Sequence, residues 1–119
     1  MTTRQAKIAE LLKEEISDIL RREMKDPRLG FVTITDAEIS PDLRHAKVFV
    51  SILGTEQERK DNMALLKKAE RFVRQAVGKR LSMKLLPEIR FYLDTSVDQG
   101  VRIFELLDKI KRNDEHESS

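Results

Sequence analysis

The chain has 119 residues, 37% of them charged, with 23 Lys and Arg against 21 Asp and Glu for a net charge of +2, and it has no cysteine. That length suits one domain able to bury about two thirds of its unfolded surface. The missing cysteine excludes disulfides and thiolate chemistry, no apolar run approaches the roughly 18 residues of a membrane span, and no secretory leader opens the chain. The expectation is a soluble, cytoplasmic protein.

Ile8, Leu11, Leu12, Ile16, Ile19 and Leu20 recur at three- and four-residue steps and predict a helix from Thr2 or Thr3 to about Lys25. Its other faces mix Glu10, Lys13, Glu14, Glu15, Asp18, Arg21, Arg22 and Glu23, the pattern of a solvated surface. Asp26-Pro27 stops the helix, because a proline ring disfavours helical geometry at the residue before it. A strand follows in which Val32 and Ile34 have one parity and Ala37 and Ile39 the other, so a bulge near Thr35-Asp36 is needed to keep both pairs in one core.

Ser40-Pro41-Asp42-Leu43 is turn chemistry, with proline suited to the second position and Asp able to bond its own backbone. Ala46, Val48, Val50 and Ile52 then alternate with Lys47, Phe49 and Ser51, which predicts a second strand and an antiparallel hairpin. Gly54 closes that strand, and Thr55 and Glu58 stand at capping-box spacing for a new helix. Leu65, Leu66, Ala69, Phe72, Val73, Ala76 and Val77 form its apolar stripe, Gly78 weakens it, and Pro87 is the expected end. A third strand alternates Ile89, Phe91 and Leu93 with Arg90, Tyr92 and Asp94. A short helix is predicted over 101–110, and 113–119 is a polar, mostly acidic tail expected to be disordered. One amphipathic sheet face and three helix stripes predict a two-layer α+β domain spanning 1–112.

Charge is unevenly spread. From Lys60 to Lys84 eight basic residues face two acids, a local net of +6 against −4 for the remainder. Helical spacing gathers Lys67, Lys68, Arg71, Arg74 and Lys79 opposite the apolar stripe, with Arg80 and Lys84 just beyond. Such a face can be a solubilising surface, but focused positive charge also attracts phosphate. Phe31, Phe49, Phe72 and Phe91 sit in apolar patterns and are assigned to the core. Tyr92 lies on the other face of its strand and is the side chain placed to stack on a base.

Catalysis finds little support. His45 and His116 are the only histidines, one at a strand start and one in the tail, so neither a metal cluster nor a nucleophile–base pair can be assembled. Asp94 and Asp98 suit capping and turn roles better than paired acid chemistry, and no phosphate-binding Gly-rich loop is present. The expectation is a protein without catalytic activity, cofactor, metal or small-molecule substrate.

The run Lys25-Asp26-Pro27-Arg28-Leu29-Gly30-Phe31-Val32-Thr33-Ile34-Thr35-Asp36, then Ser40-Pro41-Asp42-Leu43-Arg44-His45-Ala46-Lys47-Val48-Phe49-Val50-Ser51, resembles bacterial ribosome-binding factor A. The resemblance continues in order through Phe72-Val73-Arg74, Pro87-Glu88-Ile89-Arg90-Phe91 and Asp94-Thr95-Ser96. It implies a K-homology domain of the prokaryotic (type II) topology, αββααβ with a C-terminal helix. The usual clamp of that domain is a loop with two glycines three positions apart. Glycine stands only at 30, 54, 78 and 100, so that loop is absent. The family has instead an Ala-x-Gly kink between two helices, which falls on Ala69-Glu70-Arg71, with Arg71 where the glycine would be. Periodicity alone reads Ala69 as a small residue of the stripe. The resemblance further implies a monomer that binds the free 30S ribosomal subunit and its 16S rRNA near the 5′-terminal helix, aids late maturation and end processing, and matters most in the cold. The RNA-contacting set is then Lys67, Lys68, Ala69, Arg71, Arg74, Lys79, Arg80 and Lys84. The alternative is a protein-interaction module whose basic helix face takes an acidic partner.

Overall fold

The computed structural model describes residues 2–95. Helix α1 spans Thr3–Arg22 and opens on a capping box, with the Thr2 hydroxyl accepting from the Gln5 amide and the Gln5 side chain accepting from the Thr2 amide. It buries Ala9, Leu12, Ile16, Ile19 and Leu20, whereas Leu11, expected in the stripe, is exposed. Gln5 is buried as well, its side-chain amide donating to the Ile39 carbonyl at 3.0 Å. The helix ends at Arg22, before the expected Lys25, which itself takes a left-handed φ of +49°. Asp26 caps a 3-10 turn over Pro27–Phe31 and holds the Arg28 guanidinium at 2.8 and 3.1 Å, so Phe31 belongs to this turn and is exposed rather than core.

Strand β1 (Val32–Ile39) pairs antiparallel with β2 (His45–Ile52). The register slips between Ile34 and Asp36, which is the bulge that the parity change requires. Thr35, the extra residue, turns its hydroxyl to Asp94 at 2.7 Å. In the hairpin the Leu43 amide donates to the Ser40 carbonyl, while the Asp42 carboxylate accepts from the Ser40 hydroxyl and the Arg44 amide. Those two bonds, the Ser40 one larger, hold the Asp42 carboxyl below the usual carboxylate range.

Helix α2 spans Glu56–Leu81 behind the expected Thr55–Glu58 capping box. Strand β3 (Glu88–Leu93) returns parallel to β2, so β2 is central and β3 has a free edge among the described residues. The buried cluster joins Leu12, Ile16 and Ile19 of α1 and Leu66, Val73 and Val77 of α2 to Val48, Val50 and Phe91 of the sheet. Each large side chain so buried contributes about 1.5–3 kcal/mol.

Three expectations are corrected on α2. It is one uninterrupted helix through Ala69-Glu70-Arg71, not the two helices implied by the resemblance. It stops at Leu81, where Ser82 turns left-handed at φ +50°, well before Pro87. Phe72 is 45% exposed, because the core-facing positions 62, 66, 69, 73, 76 and 77 leave it at the margin of the stripe. The predicted helix over 101–110, the tail, Asp98 and His116 lie outside the described residues.

Candidate nucleic-acid interface

With the stripe of α2 turned to the sheet and to α1, its opposite flank points to solvent. Lys67, Lys68, Arg71 and Lys79 are exposed there, with Lys84 exposed in the loop beyond. None of these five has a carboxylate partner among the described residues. Cations three and four residues apart along one helix repel one another by a few tenths of a kcal/mol per pair. Without internal partners, that repulsion is left to be screened by solvent ions or by a bound anion.

The remaining residues of the expected set have other placements. Ala69 is buried and touches the core. Arg74 is exposed but its guanidinium donates to the Leu86 and Pro87 carbonyls at 3.0 and 3.2 Å, which ties the loop between α2 and β3 to the helix. Gly78 sits beneath the same loop, where an added Cβ would lie 2.6 Å from a Leu86 methyl. Its place in the helix is thus a close approach and not merely a weak point. Arg80 is only partly exposed and faces α1, where Glu15, Asp18 and Glu23 bind it at 3.1, 2.7 and 3.2 Å. The Asp18 bond, then the Glu15 bond, push its pKa further above the ordinary guanidinium value, and its charge is already neutralised within the fold. Arg80 is therefore a clamp between helices, and three of the acids read as solvated surface, Glu15 and Asp18 on α1 and Glu23 at its C-cap, are its other half.

The one acid in the middle of the cationic flank, Glu70, has a defined task. Its carboxylate accepts from the Phe91 amide at 2.8 Å, on the free edge of β3. Glu70, Arg71, Arg74, Glu88, Ile89 and Arg90 line a groove between that edge and α2. At its other end α2 presents Lys60 and Lys67 around a hollow floored by Met63, Ala64 and Leu93.

His45 stands exposed at the start of β2, its Nδ1 3.5 Å from Glu88 and its backbone amide donating to the Ser40 hydroxyl at 3.0 Å. Among the described residues no group of three or more His, Asp or Glu is placed to hold a metal ion, and no helix is long and apolar enough to cross a membrane.

Two helices on one face of a mixed three-stranded sheet, entered through an α-β-β order, make an α+β module consistent with a K-homology-like fold. The family profile described as Ribosome-binding factor A matches residues 4–107, and the chain belongs to that family. A ribosome-binding factor A of Halothermothrix orenii is 53% identical over 112 residues, covering 94% of this chain and 92% of the relative. The crystal structure of ribosome-binding factor A from Thermus thermophilus superposes with a TM-score of 0.66 at 26% identity, covering 75% of this chain and 94% of that one. A homology model of the Thermus thermophilus factor, as fitted into a cryo-EM map of its complex with the 30S subunit, gives 0.61 at 25% identity and covers 73% and 91%.

Proposed function

We propose that this protein binds free, immature 30S ribosomal subunits and assists their late maturation and the processing of 16S rRNA, through the region of the rRNA's 5′-terminal helix. The observation that carries the reading is the unneutralised flank of α2, with Lys67, Lys68, Arg71 and Lys79 exposed and without carboxylate partners among the described residues. The Thermus factor fitted to a 30S complex supports the choice of particle. Lys84 extends the contact, Arg74 serves it by shaping the loop beside β3, and Arg80 and Ala69 serve it only through the fold. The protein acts as a monomer in the cytoplasm, stoichiometrically and without cofactor or turnover. Cations hold phosphates in one RNA arrangement and shift the folding equilibrium toward it. Mispaired RNA helices escape more slowly in the cold, so the need for such a factor rises as temperature falls.

Sedimentation with separated subunits tests this. The protein should travel with free small subunits and be missing from complete ribosomes. Cells lacking it should accumulate 16S rRNA precursors with unprocessed ends, more so in the cold. His45→Ala should rescue normally, since no proton transfer is assigned to it. Rescue by trace amounts that vanishes with His45→Ala, or equal occupancy of free subunits and translating ribosomes, would overturn the reading. Salt-sensitive binding to an acidic protein with none to subunits would favour a protein-interaction module.

A further inference from the structure

The sheet face turned away from the helices carries its own arrangement of rings and cations. Phe49 of β2 and Tyr92 of β3 are register partners, with ring centroids 6.0 Å apart and planes tilted by 37°. Tyr92 is the more open of the two at 38% exposure. Lys47 Nζ stands over the Tyr92 ring at 5.7 Å from its centroid, and the register partners of Lys47 are Arg90 on β3 and the acid Glu38 on β1. A ring supported from one side and flanked by cations is the construction that single-stranded nucleic acids use, the base stacking on the ring and the phosphate meeting the charge.

This face is continuous with the flank of α2. Arg90 and Glu88 line both the hollow beneath Tyr92 and the groove that holds Arg71 and Arg74, so the two surfaces meet around the free edge of β3. The acid between these two hollows, Glu88, is met by Arg90 at 3.8 Å, which reduces its repulsion of a phosphate. We propose that an unpaired nucleotide of the bound RNA stacks on Tyr92, the strand running from the cationic flank of α2 around the β3 edge past Arg90. The inference rests on the reading of α2 as an RNA-binding surface and adds to it a preference for a single-stranded segment.

The chain contains one tyrosine and no tryptophan, so the emission of the unlabelled full-length protein reports on Tyr92 alone. The probes are a uridine octamer, an abasic backbone of the same length, and a blunt RNA duplex. The octamer should quench the emission and bind more tightly than either the abasic backbone or the duplex. Tyr92→Leu should weaken octamer binding about 5- to 100-fold without changing its salt dependence, and Tyr92→Phe should restore it. If Tyr92→Leu does not fold, quenching and the Tyr92→Phe variant decide. Octamer bound with unchanged emission, or no more tightly than its abasic counterpart, overturns the proposal and leaves the α2 reading in place. A Tyr92 that acrylamide cannot reach in the free protein also overturns it, since the face would then be covered by the chain itself. If neither the octamer nor 30S subunits bind, the α2 reading fails first.

Discussion

Ser82 ends α2 with φ +50° and ψ +38°, a left-handed conformation in which a side chain is strained and glycine is not. Ser82→Gly should raise stability by about 0.5–1 kcal/mol, read as a higher urea midpoint at unchanged slope; an equal or lower midpoint would mean that the serine is unstrained. The same residue shows why the end of α2 was hidden in the sequence. Leu81-Ser82-Met83 contains neither the glycine nor the asparagine that ordinarily marks such a stop, so the eye passes on to Pro87. The start of α2 was legible because Thr55 and Glu58 act on each other locally, through bonds of 3.1 Å that depend on three-residue spacing alone.

At the scale of elements, the hairpin and its bulge could be read from side-chain parity, since one buried face leaves only one register. Continuity of α2 could not. The family word at Ala69-Glu70-Arg71 suggested a kink, and the structure has an unbroken helix there. Arg71→Gly should therefore carry the helix-interior penalty of about 1 kcal/mol in a denaturant titration, whereas a neutral or stabilising result would show strained backbone at that point. The joint between α1 and α2 was equally hidden, because a pairing of Arg80 with Glu15, Asp18 and Glu23 exists only once the helices are packed. It has a pH signature. The Arg80 hydrogen bond, aided by Arg22, holds the Asp18 carboxyl below the usual range, so its stabilisation is complete above the ordinary Asp value near 4 and is lost as pH falls through the depressed folded value. Asp18→Asn should lower Tm at neutral pH, and the gap from the parent should close in acid. A gap that persists in acid strong enough to protonate Asp18 in the folded protein would have to come from packing.

For the whole molecule the test is electrostatic. If about four to six phosphates are neutralised, the log of affinity should fall against log salt with a slope of roughly −3 to −5. Reversing Lys67, Lys68 and Arg71 to Glu should flatten that slope while leaving the circular dichroism spectrum unchanged. Arg74 and Arg80 are unsuitable for this purpose, since they hold a loop and a helix joint. An unchanged slope in the folded triple variant would move the site elsewhere. The cationic flank itself was legible from helical spacing, but which of its members remain free was not. That depends on where Arg74 and Arg80 reach in three dimensions, and for Arg80 on acids about 60 residues away in sequence.

The bond from Glu70 to the Phe91 amide has a consequence for self-association. Among the described residues β3 is an edge strand, and such edges invite pairing with another chain through their outward amides. By occupying one of these donors in the middle of the strand, Glu70 interrupts the row that a second copy would need. An acid that weakens the attraction for phosphate is thus placed where it guards against edge-to-edge aggregation. Glu70→Ala should increase affinity for RNA modestly and, at high protein concentration without RNA, raise light scattering relative to the parent; a variant that stays as clear as the parent would show that the edge is protected by something else.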